Sequence, residues 1–465
     1  MDTSHATWQA LFSKPNALKA LVLALGVMLH ATNVYLATTI MPSIVKEIGG
    51  LEYYAWNTTL FVVASVIGSV ISTHQMALFG PRRAYQIGIV LFSLGTLLCT
   101  LAPTMYLLLL GRFIQGYGGG LLFALSYAMI RLVFAPKLWS RAMALISGMW
   151  GIAAFSGPFI GGVFATYGHW RWSFGSLLFF CLFIFIVASV VLPKQKNSAV
   201  AMPIPYLKLV LLSFAIFAVS IGSTQKEIVA NFIGLAIAFF FLLLLVASEK
   251  NSSTRLLPTG AYKISSTLGS TYAIMALLTL ATSIEIYVPY FAQMIHNFTP
   301  LEAGYLTVLI AIGWTLSSLV FSGYKRDAVY KISTIGTCLM LFSLVGLGYI
   351  NQVTSLSSLV HLLLTCLFLF AIGAGIGMGW PHLLTQVFSL APKGEEDLTA
   401  SSVTTIQLIA TSFGAALAGL VANLGGITDT TTLEGVTNAS IYLYSCFALA
   451  PLLALFVLIR MRYKK

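Results

Sequence analysis

Long apolar blocks separated by short polar joints make up almost the whole chain, and none of them alternates apolar and polar residues with a period of two. Crossing a bilayer as a helix takes roughly 17–25 residues. Fourteen runs qualify: 18–44, 55–78, 84–102, 104–131, 139–166, 171–192, 205–223, 227–247, 268–293, 302–322, 328–350, 356–386, 398–423 and 437–460. Continuous apolarity predicts helices rather than barrel strands, because only a helix satisfies its own backbone in lipid.

The charges in the joints test that count. With the N-terminus in the cytoplasm and the runs alternating, the inner joints hold 21 Lys and Arg, among them Lys14, Lys19, Arg82, Arg83, Arg131, Lys208, Lys250, Arg255, Lys325 and Arg326. The outer joints hold three, Lys46, Arg171 and Lys226. Such a split is what the positive-inside rule demands. A missed helix would scramble it, so an even number of spans with both termini cytoplasmic is expected.

Composition narrows the class further. Hydrophobic residues make up 58% of the 465 and charged residues 8%, against roughly 25% charged in a soluble chain. A soluble enzyme, a disordered chain and a secreted disulfide scaffold are excluded. The net charge of +12 does not point to nucleic acid, since no basic cluster is long enough to track a phosphate backbone. Cys99, Cys181, Cys338, Cys366 and Cys446 lie inside apolar runs without metal-ligand spacing and read as small buried residues. The start, Met1 to Lys19, is polar and weakly basic, and the first run is too long for a signal peptide; it reads as a permanent anchor.

The most polar joints are Lys194–Pro205, Glu249–Lys263 and Pro392–Asp397. The first two flank runs seven and eight, so six helices, two, then six are expected. The implied domains are a six-helix bundle over 1–193, two linker helices over 194–263 and a second six-helix bundle over 264–465. Such a layout suits a pseudo-symmetric transporter. Gly80-Pro81-Arg82-Arg83 after run two is weakly echoed by Gly323-Tyr324-Lys325-Arg326-Asp327 after run ten.

A charge inside a membrane span is costly and marks a candidate site. Two lie well inside: Arg112 in run four and Glu285 in run nine. Burial favours the neutral carboxyl, so Glu285 could take up a proton on one side and release it on the other, or pair with a cationic substrate. The plainer reading is a structural carboxyl bonded to a neighbouring helix. Arg112 could position water, modulate a proton site, bind an anion, or simply tie two helices. Glu227 and Lys208 lie near helix ends and could snorkel. Run one has a polar face in which His30 and Asn33 are three residues apart, with Thr32, Tyr35 and Thr38 nearby. His30 could titrate near neutral pH, though a packing role is commoner. His361 and His382 are weaker candidates.

Gly157-Pro158-Phe159-Ile160-Gly161-Gly162 in run five, and Gly373, Gly375, Gly377 and Gly379 followed by Pro381 in run twelve, predict close or sliding helix contacts. Neither glycine series opens a helix after a strand, so neither is a nucleotide loop. No Walker motif occurs, and no cofactor or metal is implied. Trp170-Arg171-Trp172 sits where an aromatic belt belongs. Tyr127, Trp150, Tyr287, Tyr290 and Trp314 could stack on a flat or cationic ligand, or pack the core. Glu395-Glu396-Asp397 reads as a solvated loop.

These motifs carry a resemblance. Gly111-Arg112-Phe113-Ile114-Gln115-Gly116 resembles the helix 4 motif of the major facilitator superfamily, and Gly157-Pro158-Phe159-Ile160-Gly161-Gly162 resembles its helix 5 antiporter motif. His169-Trp170-Arg171-Trp172-Ser173-Phe174 looks like the signature before helix 6 in the fourteen-helix drug:proton antiporters, which include multidrug and quaternary-ammonium exporters. The resemblance covers nearly the whole chain. It departs in three places: Asn33 stands where relatives usually carry an Asp nine residues before a proline (here Pro42), Ala77 and Leu78 replace polar residues before Gly80-Pro81-Arg82-Arg83, and Ala153 replaces a common glycine.

The resemblance implies an all-α inner-membrane exporter of small amphipathic or cationic compounds, not an enzyme, working by alternating access. Proton coupling would rest on Glu285, helped by Arg112 and His30, with Asn33, Tyr35, Gln115, Tyr127, Trp150, Tyr287 and Trp314 facing substrate. Its partners would be the substrate, protons and the bilayer; a periplasmic channel partner is not determined. The alternative is a dedicated carrier of one polar metabolite or siderophore, in which His30, Asn33, Gln115 and Gln386 hydrogen-bond the ligand.

Overall fold

The structure is a computed structural model that describes residues 8–14, 16–194, 203–225, 227–250, 252, 254–323, 329–353, 357–428 and 433–463. Lys226, Lys325, Arg326 and most of the second loop motif, Tyr324 to Asp327, lie outside the described residues. All longer elements are helices: α1 (Asn16–Ile48), α2 (Trp56–Phe79), α3 (Pro81–Leu101), α4 (Met105–Ala128), α5 (Trp139–Thr166), α6 (Trp170–Val191), α7 (Tyr206–Ser223), α8 (Ile228–Lys250), α9 (Thr267–Thr282), α10 (Val288–His296), α11 (Pro300–Phe321), α12 (Val329–Ile350), α13 (Ser358–Ser389), α14 (Glu396–Leu424), α15 (Leu433–Phe447) and α16 (Leu449–Tyr463). Among the described residues they make fourteen spans long and apolar enough to cross a membrane, with α9–α10 and α15–α16 each forming one.

Local chemistry explains where helices start and turn. Gly80, at φ 80°, reverses the chain between α2 and α3, and Pro81 then opens α3 where its missing N–H costs nothing. Ser266 caps α9 by accepting from the Gly269 N–H at 2.9 Å. Thr299 and Glu302 form a reciprocal capping box on α11.

Two compact units divide the chain. The first comprises 1–49 and 60–204, the second 50–59 and 205–465. In the first, α5 packs on α1 through Gly157, where a Cβ would stand 2.6 Å from the Tyr35 Cβ, and through Gly161, which faces Leu36 and Ile40. Gly162 is buried in the same turn, and Pro158 sits inside the unbroken helix. Glu47 at the end of α1 accepts from the Trp170 indole at 2.6 Å and from Arg171, which also donates to the Ala102 carbonyl at 3.0 Å. The Trp-Arg pair thus ties the ends of α1, α3 and α6. At the other end, Arg82 donates to the Leu192 and Val190 carbonyls at 2.7 and 3.3 Å, joining α3 to α6; Arg83 is exposed.

In the second unit, the α13 glycines serve two neighbours. Gly373 and Gly377 lie against the backbone of α11 at Ile310 and Trp314, while Gly375 lies against Gly336 and Met340 of α12. Pro381 follows inside the continuous helix. Helices α7 and α8 belong to this unit and change one expectation. Lys208 does not snorkel: it is 3% exposed and pairs at 3.3 Å with Glu249, which is 4% exposed. The start of α7 is covered by the end of α8, so the ammonium meets a carboxylate instead of water. Glu249 also accepts from the Leu256 N–H at 2.9 Å. Farther along that loop, Glu395 accepts from the Thr259 N–H and hydroxyl at 2.7 and 2.6 Å and pairs with Arg255 at 3.2 Å. Far from being merely solvated, Glu395 is a clamp. The cysteines differ from expectation as well: Cys99 and Cys181 are buried, but Cys338 and Cys446 are exposed on the helix surface.

Candidate functional site

Seven of the candidate residues, His30, Asn33, Tyr35, Arg112, Gln115, Tyr127 and Trp150, lie in the first unit, and Glu285, Tyr287 and Trp314 in the second. In the first unit the structure assembles a polar thread through an aromatic core. Arg112 of α4 is 1% exposed. It donates to the Gln115 carbonyl oxygen at 2.6 Å, and the Gln115 amide donates to the Thr96 hydroxyl of α3 at 2.8 Å. Its guanidinium lies 4.2 Å from the centre of the Phe61 ring, an arrangement that stabilises a desolvated cation. This thread is possible because Gly95 of α3 lets the Gln115 backbone come within contact distance.

His30 touches the same Phe61 ring, with centroids 5.2 Å apart, and also Phe123 and Trp150 at 5.3 and 6.1 Å. Gly119 leaves room for it: a Cβ there would stand 2.8 Å from His30 Nδ1. Nδ1 is buried without a hydrogen-bond partner, and so are both amide atoms of Asn33 one turn later. A buried amide without partners is costly, which makes the His30–Asn33 face a polar defect in α1. Tyr127 extends the cluster, its ring 5.4 Å from Phe123 and its hydroxyl 3.3 Å from that of Ser147. Tyr35 stands at the α1–α5 contact. Phe61 and Thr96 were not singled out from sequence; a phenylalanine and a threonine in apolar runs carry no mark of what they touch.

In the second unit, the ninth span breaks where its acid stands. Residues Ser283–Ile286 form a 3₁₀ turn between α9 and α10. Pro289 has no N–H to give to the Glu285 carbonyl, and its ring crowds that carbonyl, so the α-helical bond between these two residues is missing at the turn. Glu285 is only partly buried while its immediate neighbours Ser283, Ile284 and Ile286 are buried, and its carboxylate has no hydrogen-bond partner among the described residues. The buried Thr279 and Ser283 hydroxyls are also unpartnered, so the break concentrates polar groups in an apolar helix. The apolar run 268–293 predicts one continuous helix here, and the structure divides it at Ser283–Ile286.

Tyr287 is packed away, its ring stacked on Tyr54 at 4.7 Å and on Phe291 at 5.8 Å. Tyr290 meets Tyr54 at 5.3 Å. Trp314 lies elsewhere in the unit, edge-on to Trp380 at 5.1 Å. His361 bonds to Asn351 and His382 to the Phe321 carbonyl at 2.9 Å. Gln386 is partly buried on α13.

The Major Facilitator Superfamily model matches residues 23–418. A Mycobacterium tuberculosis protein named "Probable multidrug-efflux transporter" is 33% identical over 425 residues, 90% of each chain. "Multidrug resistance protein 3" of Bacillus subtilis is 25% identical, covering 78% of this chain and 70% of that protein. The structure of a POT family transporter bound to a thioalcohol-conjugated peptide superposes with a TM-score of 0.67 at 15% identity, covering 94% of this chain and 95% of that one; that likeness concerns the fold. With fourteen apolar spans among the described residues, two units and a family model spanning most of its length, the chain belongs to the major facilitator superfamily, as a multi-pass secondary active transporter of the bacterial inner membrane that works by alternating access.

Proposed function

We propose that the protein is a proton-coupled exporter of small amphipathic or cationic compounds, of the fourteen-helix drug:proton antiporter branch. Both termini are cytoplasmic, and the functional division is a bundle over 1–193, linker helices over 194–263 and a bundle over 264–465. Glu285 carries the proton. The observation that carries this reading is a partly accessible carboxylate, without a hydrogen-bond partner among the described residues, at a proline-made break in a span. A carboxylate so placed gains or loses a proton without rupturing a structural bond. Neutralisation favours one orientation of the transporter, and release to the cytoplasm accompanies outward movement of substrate. Each charge moved is driven by about 2.3 kcal/mol per 100 mV. Arg112 and His30, sharing the Phe61 ring, tune the other unit. Within the first unit, Tyr127 and Trp150 supply aromatic surface for substrate, with Asn33, Tyr35 and Gln115 beside it; within the second, Trp314 and Tyr287 are the substrate-facing candidates.

The relatives named for multidrug efflux support the substrate class. The unpartnered Asn33 amide favours, as a second reading, a ligand that needs hydrogen bonds. Purified protein in liposomes with an imposed pH gradient separates the two. Ethidium-dependent proton movement in the wild type that is lost in Glu285→Gln, with many unrelated lipophilic cations competing, supports the exporter. Ethidium export that continues unchanged in Glu285→Gln rejects it, and competition by one polar metabolite alone selects the second reading.

A further inference from the structure

A cavity of about 230 Å³ lies in the second unit where α10, α11, α12, α13 and α15 meet. Two imidazoles stand in its wall: His296, the last residue of α10, and His361, the fourth of α13, with ring centroids 4.3 Å apart. His361 is fixed. The Asn351 amide donates to the Ser440 hydroxyl at 2.9 Å, which turns its carbonyl oxygen to His361 Nε2 at 3.1 Å. Nε2 therefore carries a hydrogen, and Nδ1 accepts from the Thr365 hydroxyl at 3.4 Å. His296 makes no hydrogen bond among the described residues. Phe291 and Tyr444, edge-on at 6.0 Å, form the apolar part of the wall.

The lining also runs inward along α10, from His296 through Ile295, Ala292 and Phe291 to Val288. Val288 is three residues from Glu285, so the cavity spans most of the distance from the helix end to the broken turn. Helix α15 packs against both α10 and that turn and brings Tyr444 to the cavity. The volume holds several waters.

We propose that this cavity is the outer proton-entry site, with His296 as the group that takes protons from external water and His361 as the ring that positions it; the proposal rests on the antiport reading and topology above. Hydronium gives its proton to a His296 nitrogen, leaving water and an imidazolium. The imidazolium passes the proton through cavity water to the Glu285 carboxylate, leaving neutral imidazole and a carboxylic acid. Imidazole is suited to this because a ring nitrogen that makes no hydrogen bond among the described residues can take up and release a proton without rupturing a structural bond. Competing groups are few. No carboxylate or ammonium lines the cavity among the described residues. From α11, Glu302 is committed to Thr299. From α15 come Tyr444 and the exposed Glu434, from α12 the exposed Tyr349, and from α13 Cys366.

The test uses the full chain in liposomes, with ethidium as substrate and the external pH varied from about 5.5 to 8.5. His296→Gln is expected to move the half-maximal point of proton-driven ethidium transport by about one pH unit toward acid, with proton-independent ethidium counterflow unchanged. His361→Gln gives a smaller shift. An unaltered pH profile in His296→Gln overturns the proposal, as does equal loss of counterflow, which marks a structural residue. Histidine side-chain NMR of the wild type in nanodiscs adds a readout that needs no transport. A His296 resonance that titrates in this range, with a midpoint altered by His361→Gln, supports the site; one that does not titrate overturns it. If the wild type moves no protons with ethidium, the antiport reading fails; a titrating His296 would then be a proton site without an entry role.

Discussion

Pro289 stands four residues after Glu285, and the helix breaks into a 3₁₀ turn at that acid. The spacing matters because an α-helix would need the residue-289 N–H to bond the residue-285 carbonyl, and proline has none. The candidate proton carrier thus sits at the carbonyl that Pro289 leaves without its helical donor. Pro289→Ala supplies the missing donor. It is expected to stabilise the protein by about 1 kcal/mol, one added backbone hydrogen bond, and to slow proton-driven transport several-fold. Thermal unfolding in detergent and ethidium flux check the two parts; unchanged flux would separate the break from function.

The Lys208–Glu249 pair makes an asymmetric prediction. Both side chains are buried, so removing one strands the other. Lys208→Met or Glu249→Leu alone should cost about 3–5 kcal/mol, whereas the double replacement should be close to neutral or stabilising. A double-mutant cycle read by unfolding measures this directly. Equal losses in single and double variants would mean the pair holds the hairpin through something other than charge.

Glycine spacing along α13 predicts where bulk is forbidden. A side chain at Gly373 would enter the Ile310 backbone of α11, so Gly373→Val should destabilise by about 1–3 kcal/mol. At Gly151 of α5 an added methyl group would meet nothing within 4 Å, and Gly151→Ala should stabilise by roughly 0.5–1 kcal/mol through helix propensity. Matched thermal melts distinguish them.

The Arg112 thread gives a third contrast. Gln115→Leu removes the 2.6 Å acceptor of a buried guanidinium and should cost about 1–3 kcal/mol. Gln115→Glu keeps an acceptor and should retain fold and most transport. Comparable stability of the Leu and Glu variants would show that Arg112 does not depend on this bond.

Glu395 sets a pH dependence outside the spans. Burial alone would raise its pKa, but the Thr259 N–H and hydroxyl and the Arg255 guanidinium outweigh burial and hold the carboxyl below its ordinary range. A depressed folded-state pKa means the clamp's contribution is fully present above the unfolded value, about 4.3, and is lost as the pH falls through the lower folded value. Hydrogen exchange at the Thr259 amide should therefore stay protected on lowering the pH to about 4.3 and approach its intrinsic rate only below it. Glu395→Gln should show fast exchange at neutral pH.

The fourteen spans, their helical nature and the motifs of the family were legible in the sequence, because lipid imposes its demand locally: each run must be apolar throughout and satisfy its own backbone. The charged residues at 112 and 285 were legible for the same reason, since a charge in an apolar run stands out without any neighbour being known. Which proline breaks a helix was not. Pro42, Pro158 and Pro381 sit inside continuous helices, while the span containing Pro289 divides, because neighbouring helices decide whether a freed carbonyl can be accommodated. Lys208 reads as a snorkelling end residue until the end of α8 covers it. His296 and His361 are 65 positions apart, and Phe61 meets both His30 and Arg112 from another helix. Contacts of that kind depend on which faces pack together, and packing is a property of helix pairs that no single apolar run encodes.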